Sequence, residues 1–121
     1  MRDAQRFWLD VAPVAKARPR VTIQAGHGQA YTPSATVDAE MRIGWVLRER
    51  GAVKYAAGVP LRVTLCFYVP RPAKIPKGRC PFAPVTRPDL DQYLKLTLDA
   101  CTGLLWADDA QVVDCILKKR Y

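Results

Sequence analysis

One stretch restricts what this chain can fold into more than any other: Asp89-Leu90-Asp91, then Lys95, then Trp106-Ala107-Asp108-Asp109. Carboxylates crowded into one place repel one another, so a fold that gathers them usually needs a cation. The rest of the chain has the opposite sign. Residues 1–88 carry 15 Lys/Arg against 5 Asp/Glu, a net of +10, whereas residues 89–121 carry 4 against 6, a net of −2. A basic body with a local acidic pocket fits an enzyme that attracts a polyanion and then sets a metal ion against one phosphate. Mg²⁺ chemistry on nucleic-acid phosphates is the natural reading.

The 121 residues suffice for one domain with a modest core, expected to span 1–121. No apolar run approaches the roughly 20 residues that cross a bilayer, and the N-terminus lacks a signal-peptide pattern, so a cytoplasmic protein without a membrane partner is expected. Cys66, Cys80, Cys101 and Cys115 form no CxxC pair and have no neighbouring histidine, which argues against zinc. Cys66, Cys101 and Cys115 lie in apolar runs, as small reduced core residues do.

Along the chain, Phe7–Val11 is expected as a short strand ended by Pro13. In the extended segment after it, Lys16, Arg18 and Arg20 fall on one side as a cationic row suited to a phosphate backbone. A charged, solvated edge is the bland counterpart. Val21–Ile23, Gly26-His27-Gly28 and Ala30-Tyr31 read as a hairpin with His27 as a turn residue rather than a base. Thr32-Pro33 opens a helix to about Arg50, with Val37, Met41, Trp45, Ile43, Val46 and Leu47 as its apolar face and Gly51 as its stop. Leu61–Val69 alternates as a strong strand. Residues 70–88 hold six prolines with Arg71, Lys74, Lys77, Arg79 and Arg87, and read as a mobile DNA-engaging flap. Asp89 to about Thr102 is a helix marked by Leu90, Leu94, Leu98 and Cys101. Val112–Lys119 is a last strand, apolar on both faces, expected inside the sheet or at a subunit interface.

Asp89 sits at an N-cap position, Asp91 in the first helical turn, and Lys95 at i+4 from Asp91 on the same face. A cap and a helical ion pair account for these three without any chemistry. Asp108-Asp109 is then either a polar turn or the second half of a metal site, in which Asp89, Asp91, Asp108 and Asp109 converge on Mg²⁺. In the second case Lys95 adds positive charge for the phosphoryl transition state.

The run Arg87-Pro88-Asp89-Leu90-Asp91-x-x-x-Lys95, then Leu98-Asp99-Ala100, then Gly103-x-Leu105-Trp106-x-Asp108-Asp109-Ala110-Gln111-Val112-Val113 resembles the signature of the RusA family of Holliday-junction resolvases. Lys16-Ala17-Arg18-Pro19-Arg20 and Tyr31-Thr32-Pro33 resemble segments of its phage and prophage branch. The resemblance implies a homodimeric, Mg²⁺-dependent endonuclease of mixed α/β (α+β) fold that resolves four-way DNA junctions by paired symmetric nicks, with Mn²⁺ as the expected substitute. It implies Asp89, Asp91 and Asp109 as essential acids, Asp108 beside them, and Lys95 as the catalytic lysine. The setting it implies is recombination and repair in a bacterial or phage-infected cell. One departure is Gln92, where the family usually has Asn. Asp99 reads as a structural helix-surface pair. Two other functions stay open: a catalytically silent DNA-binding module, and a nuclease with broader taste for flaps and forks.

Overall fold

Alternation at Leu61, Val63, Leu65 and Phe67 builds the strand β3 (Leu61–Tyr68), whose inner face carries these residues while Arg62, Thr64, Cys66 and Tyr68 face solvent. In a computed structural model, β3 lies parallel to β4 (Val112–Arg120), with partners running from Leu61↔Val112 to Tyr68↔Arg120 and one irregularity between Leu61 and Arg62. Parallel neighbours need a crossover, and the helix α2 (Leu90–Cys101) supplies it. A separate antiparallel hairpin, β1 (Arg20–Gln24) with β2 (His27–Tyr31), precedes the helix α1 (Ser34–Glu49). The structure describes residues 4–17, 20–24, 26–31 and 33–121, with backbone only for residues 20–24, 27 and 29–31.

The two helices pack on each other, and their buried stripes match the expected apolar faces only in part: Ile43, Leu47 and Cys101 are buried as expected. On α1 the buried positions are Thr36, Ala39, Ile43, Gly44 and Leu47, an i, i+3, i+4 pattern, while Val37, Met41 and Trp45 stand exposed. The reason is size. A Cβ at Gly44 would lie 3.2 Å from Leu104 Cδ1, so the small-residue stripe lets α1 approach α2 and the turn beyond it. On α2 the buried set is Tyr93, Leu96, Thr97, Ala100 and Cys101. Of the expected Leu90, Leu94, Leu98 and Cys101, only Cys101 is fully buried. Leu96, Leu47, Ile43, Cys101 and Trp106 form the centre of the core.

Three other expectations change. Phe7–Val11 is not a strand. Its side chains still alternate, with Phe7, Leu9 and Val11 packed on the core, but Gln5 makes the ties: its amide donates to Val53 O at 2.7 Å and accepts from Val53 N–H at 2.8 Å. Cys66 and Cys115 are exposed, because they fall on the outer faces of β3 and β4; only Cys101 is a core cysteine. Burial, with the charge of Asp109 adding to it, pushes the Cys101 thiol up to about 12, so it stays protonated and inert. Finally, β4 is not internal to a sheet: among the described residues it pairs with β3 alone, and Val113 and Ile116 are exposed. Among the described residues no helix is long and apolar enough to cross a membrane.

Candidate active site

The crossover helix decides where the chemistry-bearing residues go. Asp89 is the N-cap residue of α2, in an extended conformation, and the Gln92 side chain returns to accept from the Asp89 N–H at 3.1 Å. Gln92, the longer amide at the departure from the family motif, thus closes the first turn. Asp89 and Asp91 are both exposed, and no Lys or Arg of the described residues pairs with either. Just upstream, Lys119 on β4 donates to Thr86 O at 2.8 Å and Pro88 O at 3.1 Å, which fastens the end of the long loop to the sheet immediately before Asp89. Nothing in the sequence sets Lys119 apart from an ordinary solvated strand-end charge.

At the other end of α2 the chain turns through Gly103, whose φ of +90° suits only glycine without strain, and enters a single 3₁₀ turn, Asp109–Gln111. Asp108 caps this turn by accepting from Ala110 N–H at 2.9 Å. Asp109 Oδ1 accepts from Trp106 Nε1 at 3.0 Å and from Thr102 Oγ1 at 2.5 Å. The buried indole and the threonine at the helix end therefore fix the Asp109 carboxylate, and its Oδ2 faces Lys95 Nζ at 4.0 Å. Gln111, 7 % exposed, anchors the whole turn: its Oε1 accepts from the N–H groups of Ala107 and Asp108, and its Nε2 donates to Ala56 O and Val59 O. A lone Gln between Ala110 and Val112 carries no signal of that role.

Lys95 pairs forward rather than back. Its Nζ lies 3.2 Å from Asp99 Oδ1, and among the described residues no ion pair joins it to Asp91. Asp99 is structural in the expected sense, but it reaches further, because its Oδ2 lies 3.2 Å from Lys16 Nζ, and Lys16 also pairs with Glu40 on α1 at 2.5 Å. Glu40, and then Asp99, hold the Lys16 ammonium above its ordinary value against the opposing effect of burial. Lys16 is thus matched by two carboxylates rather than offered as a free cation. Arg18 lies outside the described residues, as does the side chain of Arg20. In the loop, Arg71, Lys74, Lys77, Arg79 and Arg87 are all exposed, and the Arg71 guanidinium stands 5.6 Å from the centre of the Tyr121 ring.

Convergence of Asp89, Asp91, Asp108 and Asp109 on one cation is not the arrangement seen. Among the described residues no group of three or more His, Cys, Asp or Glu is placed to hold a metal ion. The cause is helix length. Residues 91–102 of a helix at 1.5 Å rise span roughly 16 Å, and Asp109 is bonded to Thr102, at the far end from Asp91. Asp91, Lys95, Asp99 and Thr102 instead mark one face of α2, with acidic groups at both ends and the lysine between. The donor set at Asp89 and Asp91 still fits Mg²⁺: both are exposed carboxylates with no cation paired to them among the described residues, and Mg²⁺ is commonly held by one or two carboxylates plus waters and substrate phosphate oxygens.

The sequence pattern of the family described as endodeoxyribonuclease RusA matches residues 10–121 of this chain. A protein of Bacillus subtilis (strain 168), uncharacterized protein YqaN, is 28 % identical over 127 residues, covering 98 % of this chain and 89 % of that protein. The chain belongs to the RusA family, whose members are endodeoxyribonucleases that resolve Holliday junctions.

Proposed function

We propose that this chain is a Mg²⁺-dependent nuclease that resolves four-way DNA junctions by paired, symmetric nicks, acting as a homodimer in the cytoplasm of a bacterial or phage-infected cell. The observation that carries the reading is the face of α2. An exposed carboxylate pair at its N-terminus, Asp89 and Asp91, directly follows a basic loop, and a lysine at mid-helix is set between fixed acids.

Asp89 and Asp91 would hold Mg²⁺, which when bound supplies an acidified water and offsets charge on the phosphoryl oxygens. Asp108 and Asp109 belong to the same acidic set, Asp109 as the acid that faces Lys95. The Lys95 ammonium, exposed and aimed along this face, adds positive charge where the pentavalent phosphorus gathers negative charge. Arg71, Lys74, Lys77, Arg79 and Arg87, with Arg18 and Arg20, attract the DNA backbone and carry it over the first turn of α2. Lys119 keeps the end of that loop in register with Asp89.

Two features favour a dimer. Among the described residues the exposed strand β4 is paired on one side only, and Met41 and Trp45 form an apolar stripe on the solvent side of α1. A two-fold pair presents two sites to two equivalent strands. Light scattering at working concentration should give twice the chain mass; a monomer mass would contradict the dimer.

Selectivity separates this reading from a nuclease of broader taste. Cut rates on a four-way junction, a fork and linear duplex of the same sequence should fall in that order, with the duplex lower by roughly two orders of magnitude or more, a discrimination of about 3 kcal/mol. Equal rates on all three would replace the resolvase with a general branched-DNA nuclease.

A further inference from the structure

We propose that Asp99, Lys16 and Glu40 are positioning residues for Lys95: a chain of alternating charges that crosses from α1 to α2 and aims the lysine ammonium along the face that meets DNA. The proposal rests on the reading of Lys95 as the catalytic lysine. An exposed lysine has four rotatable bonds, and a single surface pair with a carboxylate hardly orders it. Lys95 is 59 % exposed, yet its partner is not an ordinary surface acid: Asp99 is 22 % exposed, Lys16 23 % and Glu40 24 %.

The geometry assigns each member a separate task. Asp99 uses both oxygens, Oδ2 toward Lys16 and Oδ1 toward Lys95, each at 3.2 Å, so the first contact fixes the carboxylate plane for the second. Lys16 is held in turn by Glu40 and by its own backbone, whose N–H donates to Gln92 O at 3.0 Å in the first turn of α2. The next residue, Ala17, donates its N–H to Thr36 Oγ1 at 3.3 Å, and Thr36 is buried on α1. The strap at residues 16–17 is therefore fastened to both helices, and its one long side chain enters between them. At the exposed end of the chain of charges, Asp109 Oδ2 lies 4.0 Å from the Lys95 ammonium and completes the order Glu40, Lys16, Asp99, Lys95, Asp109. A basic segment that reads in sequence as a DNA-tracking row thus has, at Lys16, an inward-facing member.

A simple staple between α1 and α2 would use the same contacts, so the test must separate the two. The first measurement is turnover of a four-way junction by Asp99→Asn, Lys95→Gln and the double variant, in the full chain with Mg²⁺. The expected result is a kcat loss of roughly tenfold for Asp99→Asn with KM within about twofold, a larger loss for Lys95→Gln, and less than about a twofold further loss when Asp99→Asn is added to Lys95→Gln. Lys16→Gln should follow Asp99→Asn, and Lys16→Arg should restore most of the rate. The second measurement needs no cleavage: NMR relaxation of the Lys95 ¹³Cε group, which should become more mobile in Asp99→Asn and in Lys16→Gln. Losses that multiply independently in the double variant, or Lys95 mobility unchanged by both substitutions, would overturn the proposal. Undiminished cleavage by Lys95→Gln would overturn it as well. A wild-type chain that cuts no junction would instead remove the resolvase reading, and the mobility measurement would still decide whether these residues order Lys95.

Discussion

Asp91→Asn should abolish junction cleavage, by at least roughly 10²–10³-fold, while junction binding is retained or tightened. The substitution keeps the size and helix propensity of the side chain but removes one of two exposed carboxylates that pair with no cation among the described residues. Without that charge the N-terminal turn of α2 loses half of its proposed hold on Mg²⁺, and with it the means to acidify the attacking water. Binding follows the opposite trend, because a negative group next to incoming phosphates has been removed. Among the described residues Asp91 has no side-chain hydrogen bond or ion pair that its loss would disturb, so the melting temperature should stay within a few degrees. Gel-shift affinity measured beside single-turnover cleavage checks both halves. Parallel loss of binding and cleavage would show that Asp91 supports the fold instead.

The second large effect concerns stability. Gln111→Ala should lower the unfolding free energy by about 2–4 kcal/mol, a large share of what a chain of this size commands. Alanine would leave the N–H groups of Ala107 and Asp108 without their acceptor, and the carbonyls of Ala56 and Val59 without their donor, in a part-buried setting. Gln111→Glu separates the two halves of the loss, since it keeps an acceptor for the two amides and supplies no donor for the carbonyls. A change of less than about 0.5 kcal/mol for Gln111→Ala would mean that water replaces the side chain without cost.

What the sequence made legible was local. The alternation of Leu61–Val69, the N-cap at Asp89 and the glycine stop at Gly103 place the crossover unit, because each depends on residues within one or two turns. The hairpin around Gly26, whose φ is +80°, is legible for the same reason. Choices made between distant segments were not. Two apolar stripes wind around α1, and only contact with α2 and Leu104 selects the stripe of small residues over Val37, Met41 and Trp45. Phe7–Val11 has the alternation of a strand, but its backbone finds no ladder partner among the described residues, and Gln5 supplies the tie to Val53.

The site divides along the same line. Asp89, Asp91, Lys95, Asp108 and Asp109 stand out by residue type and spacing. Their partners do not stand out. Spacing alone allows Lys95 to pair with Asp91 or with Asp99, each four residues away, and the ammonium of Lys16, far off in sequence, orients Asp99. Trp106 and Thr102 fix Asp109 through contacts of three and seven residues' separation across a turn whose shape depends on Gly103. Lys119 and Gln111 act through backbone groups, carbonyls for Lys119 and both carbonyls and N–H groups for Gln111, and a backbone group has no signature in a sequence.

The most direct test of the account is a four-way junction labelled on each strand in turn, incubated with the protein in Mg²⁺ and, separately, with Asp91→Asn. The account predicts paired nicks at symmetric positions on two opposed strands, and none with the variant or with linear duplex. Junction binding without nicks, in Mg²⁺ and Mn²⁺ alike, would contradict it and leave a DNA-binding module whose acids only cap α2 and the turn before β4.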